Sequence, residues 1–352
     1  MFNSFVELEN SSRTFIIAEA GSNWKCGSYE DDLKRGKELI DVAAKSGADA
    51  VKFQTYKPET VYAENAGKSD QLLQFGIDKD IHEIFKYLSM PYEMIPELYD
   101  YCKEKNIMFM STPFSVEDAK KLDPYIEVHK VASFEINHIR LLEFLAKTNK
   151  PLIISTGAST YTEIDFAVSL VKNNKNNKIA LLQCTSKYPS PIEALNLNAI
   201  TTMKNRYDLP IGFSDHSMEP VIAPVLAVGL NACIIEKHFT LDRSLPGPDH
   251  SFALTPNELE LMIHSIRKAE LAKGSGFKEI LKEEIESRRF ATRSIQATTN
   301  ISKGDVLREG INFDILRPGN RVRGLEPRFL DIVNGKKSTK EINKGDGIIE
   351  FE

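Results

Sequence analysis

The sequence predicts an α/β fold, a (β/α)8 TIM barrel followed by a small β-rich domain. Three observations predict it. Eight short apolar runs alternate with helix-like segments through Lys282, the runs end in residues able to do chemistry, and after Arg293 the texture changes to short β-prone pieces divided by turns. The strand candidates in order are TFIIAEA (14–20), DAVKFQT (49–55), IMFMST (107–112), VHKVASF (128–134), PLIISTG (151–157), IALLQCTS (179–186), LPIGFSD (209–215) and ACIIEKH (232–238). Helical segments lie between them: Asp31–Lys45, with Leu33, Leu39, Ile40, Val42 and Ala43 as its apolar stripe, then Pro96–Glu104, Glu117–Leu122, Ile139–Thr148, Thr162–Lys172 and Met218–Leu230. Lys57–Pro91 reads as an insertion, a loop with a short helix of its own. Asn257–Lys273 is the last long helix. The barrel domain is expected over 1–283, a charged helical linker over 284–293, and a compact β-rich domain over 294–352, where Lys-Gly-Asp turns recur at Lys303 and Lys344.

Bulk properties narrow the function. At 352 residues, with 41% hydrophobic and 27% charged residues, the chain is an ordinary globular protein with one large domain and a small one. No apolar run approaches the ~20 residues that span a bilayer, and MFNSFVELENSSR lacks a signal-peptide pattern. Cys26, Cys102, Cys184 and Cys233 show no CxxC spacing, as expected of free thiols in a cytoplasmic protein. From Ser287 onward 13 Lys and Arg face 9 Asp and Glu, which leaves a net charge of −9 on the preceding part of a chain whose total is −5. The basic tail lacks the aromatic interleaving of nucleic-acid modules, so a role in capping a site for an anionic substrate is favoured.

In a barrel of this kind the residues at the C-terminal ends of the strands face the active site. Those positions here hold Glu19, Gly21, Asn23 and Trp24 after the first strand, Lys52 and Gln54 on the second, and Ser111, Thr112 and Pro113 on the third. The fourth offers Lys130, Ser133 and Glu135, the fifth Ser155, Thr156 and Gly157, and the sixth Thr185, Ser186 and Tyr188. Ser214, Asp215 and His216 follow the seventh; Glu236, Lys237 and His238 end the eighth, with Asp249 beyond. His216 and His238, delivered by adjacent strands, are placed to share a divalent metal; the plainer alternative is two polar loop histidines. Lys52 and Lys130 with the hydroxyls of Ser133, Ser186 and Ser214 suit a phosphate and a carboxylate; the plainer alternative pairs the lysines with Glu19 and Glu135. Cys184 and Cys233 read as core filler, and Trp24 as a packing or lid residue.

These segments carry a resemblance. IAEAGSNWKCG, ADAVKFQTYKPE, STPFSVEDA, HKVASFEI, ISTGAS, LLQCTSKYPSP, GFSDHS, EKHFTLDRSLPGPDH and RPGN together resemble the N-acetylneuraminate (sialic acid) synthase family, which includes legionaminate and pseudaminate synthases, over nearly the whole chain. The resemblance implies condensation of phosphoenolpyruvate with an N-acyl amino-hexose, N-acetylmannosamine or a diacetamido-trideoxyhexose, to a nine-carbon 2-keto acid and phosphate. It implies a C-terminal antifreeze-like (SAF) domain and a domain-swapped homodimer in which that domain covers the partner's barrel.

Carried over by position, His216 and His238 would ligate Mn2+, with Mg2+ or Co2+ as substitutes. Lys52, Lys130, Ser133, Ser186 and Ser214 would hold phosphoenolpyruvate, with Thr112 close by. Gln54 is expected among the substrate-binding residues. Glu135, Tyr188 and Asp249 would contact sugar hydroxyls, and Glu19 would lie beside the attacking water or the open-chain sugar. Arg317, or else Arg321 or Arg323, would reach the neighbouring subunit's sugar. Two departures bear on the substrate. The family's usual Asn-His-x-Gly is replaced by Asn23, Trp24, Lys25, Cys26 and Gly27, while PGPDHSFAL mixes neuraminate-like PDH with pseudaminate-like SFAL. Two competing readings are a class I aldolase using Lys130 or Lys237 as a Schiff base, and a non-catalytic sugar- or anion-binding protein.

Overall fold

A computed structural model describes residues 13–74 and 76–352, so the expectation about the N-terminal leader lies outside the described residues. The chain divides into two compact units, Met1–Gly274 and Ser275–Glu352.

In the first unit, β1 (Phe15–Gly21), β2 (Ala50–Thr55), β3 (Met108–Pro113), β4 (His129–Val131), β5 (Leu152–Ser155), β6 (Ile179–Cys184), β7 (Ile211–Asp215) and β8 (Ile234–His238) alternate with helices. These are α1 (Tyr29–Ser46), α2 (Met94–Glu104), α3 (Val116–Leu122), α4 (Ile139–Lys147), α5 (Tyr161–Asn173), α6 (Ala199–Tyr207), α7 (Ile222–Gly229) and α8 (Pro256–Lys273). The sheet order is β3-β2-β1-β8-β7-β6-β5-β4, with neighbouring strands parallel. Such an order, wrapping from β3 round to β4, is a nearly closed TIM-like barrel. Each predicted strand is present, trimmed by a few residues where the backbone turns into a loop.

Local chemistry sets the helix limits. Ser28 caps α1 in a capping box with Asp31, and Gly47, at φ 88°, closes it in the left-handed conformation. Thr160 with Glu163 and Thr255 with Glu258 repeat the box on α5 and α8. The insertion after β2 holds three short helices, Pro58–Val61, Asp70–Gln74 and Ile81–Leu88, where the sequence predicts one. Tyr56, Ile81, Ile84 and Leu88 give it a small core of its own, packed by Phe85 and Phe114.

Side-chain alternation divides the barrel into layers. Ile16, Ala18, Val51, Phe53, Ile154 and Phe213 pack outward into the main helix–sheet core. Ile17, Ala50, Met110, Val128, Ile153, Leu182 and Ile234 form a separate cluster that plugs the barrel interior. Gly212 belongs to the same plug: a Cβ there would meet Leu182 Cδ2 at 2.5 Å and the Ile234 carbonyl oxygen at 2.6 Å. Two residues further along these strands come Glu19, Lys52, Thr112, Lys130, Ser155, Cys184, Ser214 and Glu236. The polar site is thus the next inward layer above an apolar floor.

The second unit pairs β9 (Ser294–Ala297) antiparallel with β10 (Phe313–Leu316) and has its own core of Ile295, Ala297, Ile301, Leu307, Phe313, Val333, Ile342 and Ile348. Helix α9 (Ile285–Ala291) precedes it. The stretch around Leu330, which reads as β-prone, instead forms a 3-10 turn at Pro327–Phe329 and a helical turn at Leu330–Val333. That spacing lets Leu330 and Val333 reach the small core together. Among the described residues no helix is long and apolar enough to cross a membrane.

Candidate active site

The cavity at the C-terminal rim of the barrel is lined by Glu19, Lys52, Gln54, Thr112, Phe114, Lys130, Ala132, Ser133, Ser155, Tyr188, Ser214, His216, Glu236 and His238. Strand register assembles it. Glu19 lies opposite Lys52 on one side and His238 on the other, and Ser214 lies opposite both Cys184 and Glu236. Four expected residues lie beyond that lining. Asp249 accepts from the backbone N–H and the hydroxyl of Ser22, 3.3 and 3.0 Å away. A Cβ on Gly21 would meet Asp249 Oδ2 at 2.7 Å and Glu19 Oε1 at 3.5 Å, so both carboxyls approach the backbone at Gly21. Ser186 meets the cavity's Ser133 at Gly157, where a Cβ would lie 2.2 Å from Ser186 Oγ and 2.9 Å from Ser133 Oγ. Glu135 is buried, with Oε2 unpartnered. Arg317, just past β10, is exposed on the second unit. Arg321 faces Asp346 at 4.0 Å, and Arg323 donates to the Arg288 carbonyl.

Two buried lysines face two buried carboxylates. Lys52 Nζ is 2.6 Å from Glu19 Oε2, 3.8 Å from Glu236 Oε2 and donates to Thr112 Oγ1 at 3.0 Å. Lys130 Nζ donates to Ser155 Oγ at 2.6 Å and lies 3.8 Å from Glu236 Oε1. Lys130 is therefore partnered by Glu236 where the plainer alternative assigned Glu135. Glu236 bridges both ammonium groups and accepts from Ser214 Oγ at 3.2 Å. Sequence reasoning placed Glu236 in the strand-end cluster but gave it no role. Period-two alternation was the available signal, since Ile234 points into the plug and Glu236 and His238 must follow it inward. Lys237 consequently points outward, and its Nζ donates to Asp215 Oδ2 at 2.6 Å and to the Ser217 carbonyl at 2.5 Å.

Burial sets the proton affinities. It raises Glu19 to about 7, reinforced by Glu236 and opposed by Lys52, and it also raises Asp249. For Lys52 burial favours the neutral amine, but Glu19 and Glu236 outweigh it and the amine holds its proton more tightly than usual. Burial lowers Lys130, against the pull of Glu236. It raises Glu135 to about 7, against Lys130. Glu135 therefore binds its proton more tightly folded than unfolded, where a Glu titrates near ~4.3. Its contribution to stability is complete below about pH 4 and is lost as the pH rises through about 7. Glu135→Gln should flatten that part of the stability curve by up to ~3 kcal/mol. Denaturant titrations of both proteins across this window check it, and equal slopes would contradict the assignment.

The histidine pair suits a divalent metal. The ring centroids of His216 and His238 are 5.5 Å apart, and both side chains are buried. His216 Nδ1 lies 2.9 Å from the Thr185 carbonyl, which fixes the proton there and leaves Nε2 for a ligand. His238 Nδ1 is buried without a partner, and burial, aided by the positive charges of Lys52, Lys237 and Lys130, drives its pKa well below the ordinary imidazole range, whereas at His216 the pull of Cys184 outweighs burial and raises it. A neutral imidazole is what a metal requires. Among the described residues no three His, Cys, Asp or Glu side chains converge as a metal cage, so water or substrate would complete the shell. Trp24, 1% exposed, belongs to the main core and is a packing residue.

The NeuB family model matches residues 39–278. The chain belongs to the NeuB family. It is 40% identical to the spore coat polysaccharide biosynthesis protein SpsE of Bacillus subtilis over 95% of this chain and 92% of that one. It is 37% identical to the pseudaminic acid synthase of Campylobacter jejuni over 97% and 96%. The crystal structure of an N-acetylneuraminic acid (sialic acid) synthetase from Leptospira borgpetersenii matches with a TM-score of 0.67 at 36% identity, covering 78% of this chain and 91% of that one. Other relatives are named as synthases, among them pseudaminic acid synthases and N,N'-diacetyllegionaminic acid synthases, so this NeuB chain is an enzyme.

Proposed function

We propose that this NeuB protein condenses phosphoenolpyruvate with an N-acyl amino-hexose, forming a nine-carbon 2-keto sugar acid and phosphate by C–O cleavage. The observation that carries the reading is the pair of buried lysines, Lys52 and Lys130, converging with serine hydroxyls beside two buried imidazoles. Two ammonium groups and the hydroxyls of Ser133, Ser186 and Ser214 match a phosphate and a carboxylate, and Thr112 keeps Lys52 aimed into the cavity. A bound anion would compete with Glu236 for both lysines and with Glu19 for Lys52.

His216 and His238 would hold a divalent metal, Mn2+ or in its place Mg2+ or Co2+, which supplies Lewis acidity to the sugar's aldehyde oxygen. The enol carbon of phosphoenolpyruvate forms the new bond to the aldehyde carbon, and water captures the positive centre left at C2. Glu19, titrating near 7 and bonded to Gln54 at 2.9 Å, is suited to take a proton from that water. Collapse of the tetrahedral carbon breaks its C–O bond to phosphate, whose charge Lys52 and Lys130 receive. Asp249, Tyr188 and Glu135 would bind the sugar's hydroxyls. In a domain-swapped homodimer, the partner subunit's Arg317 would touch the N-acyl group and its SAF domain would shut out bulk water. This chemistry fits a soluble cytoplasmic enzyme.

The test is phosphate release from phosphoenolpyruvate with Mn2+, using N-acetylmannosamine and the two diacetamido-trideoxyhexoses of the legionaminate and pseudaminate routes. Release with one sugar, lost on EDTA treatment, is expected. Turnover without metal, together with borohydride trapping of pyruvate on Lys130, would replace the reading with a class I aldolase. No release with any of the three would favour the binding-protein alternative.

A further inference from the structure

The two imidazoles are held in different ways. His216 is fixed through Nδ1 by the Thr185 carbonyl at 2.9 Å. The ring of His238 takes part in no hydrogen bond among the described residues, and its Nδ1 is buried and unpartnered. A metal-ligating histidine ordinarily has its other ring nitrogen anchored by a carboxylate, carbonyl or water, and losing that anchor weakens the metal ~10–100-fold. Something else must set the orientation of His238.

Aromatic packing is what surrounds it. Phe252 lies with its ring centroid 5.2 Å from His238 at 62°, and Tyr188 6.0 Å away at 83°. Tyr188 in turn lies 5.4 Å from Phe252 and 4.1 Å from His216, at 33°. The four rings form one closed set. Phe252 is 3% exposed. It is carried by the segment after β8, which is tied back to that strand where the Leu254 N–H donates to the His238 carbonyl at 2.9 Å. Edge-to-face contacts at these separations restrict a ring's rotation without offering it a polar partner.

We infer that Phe252 is a positioning residue for the metal: it orients the His238 ring by packing, in place of the usual hydrogen-bonded partner. The inference rests on the metal reading proposed above. It also gives a physical role to the SFAL segment, which the sequence pattern alone left as a mark of substrate branch.

The experiment is Mn2+ binding to metal-free, full-length protein without substrate, followed by the EPR signal of free Mn2+. Phe252→Leu is expected to raise the Mn2+ Kd by ~10-fold or more. Phe252→Tyr, which keeps the ring, should stay within a few-fold of the parent. Thermal melts of the metal-free variants fix a temperature at which all are folded, so that a cavity's effect on stability does not enter the Kd. Equal Kd values for the parent and Phe252→Leu would overturn the inference while leaving the metal site standing. If the parent itself binds no Mn2+, the metal reading fails first and takes this inference with it.

Discussion

His216→Ala should lower the rate of phosphate release by about 10³-fold or more at saturating phosphoenolpyruvate and sugar. Polarisation of the aldehyde by a bound metal stabilises developing charge by several kcal/mol, and each 1.4 kcal/mol is roughly tenfold in rate. Removing one of the two imidazoles proposed to hold the metal would leave a single ligand, while the Thr185 carbonyl that bonds Nδ1 keeps the Lys187 N–H and the Ser190 hydroxyl as donors. Binding of phosphoenolpyruvate should persist, because Lys52, Lys130 and the serines are untouched. Stopped-time phosphate assays with and without added Mn2+ check the rate, and protection against thermal unfolding by phosphoenolpyruvate checks the binding. A variant within tenfold of the parent, or a parent indifferent to EDTA, would remove the metal from the mechanism.

Lys130→Met should act on the other half of the site. Lys130 is 2% exposed, and its ammonium is held by Ser155 and by Glu236. Methionine keeps most of the length and apolar contact of the stem but removes the charge, so Glu236 keeps Lys52 at 3.8 Å as its lysine partner, with the Ser214 hydroxyl. Truncating one member of a buried charged pair costs ~2–5 kcal/mol. The KM for phosphoenolpyruvate should therefore rise about 10²-fold or more, while the KM for the sugar changes little. Steady-state kinetics in both substrates separate the two constants. A rise confined to the sugar's KM would move Lys130 out of the anion site.

Much of this candidate site is legible in the sequence. Apolar runs that end in polar residues locate the rim of a barrel, where His216 and His238 fall, and Lys52 and Lys130 take inward positions on β2 and β4 in the layer above the apolar plug. What pattern could not supply were pairings across strands. Which carboxylate faces Lys130 depends on the closure of β4, β5, β6 and β7 around Glu236, a relation between residues 106 apart in sequence. Trp24 shows a different limit: it follows a strand end, the position of a lid, but the turn after β1 folds it into the core. The helical turn at Leu330–Val333 fails for a third reason, since four residues carry too little periodicity to separate helix from strand.

The insertion between β2 and α2 closes on a core of its own, centred on Tyr56, Ile81, Ile84 and Leu88. The reacting groups are registered by neighbouring strands. Evolution can therefore work on the two at different rates. Drift in the 57–91 segment can reshape the approach to the rim and so explore new acceptors, at little risk to fold or chemistry. A one-residue slip in β1 would instead put Ala18 or Ala20 where Glu19 stands. Diversity among descendants of this chain should accumulate in that segment, as a lineage exchanges its sugar without reinventing its reaction.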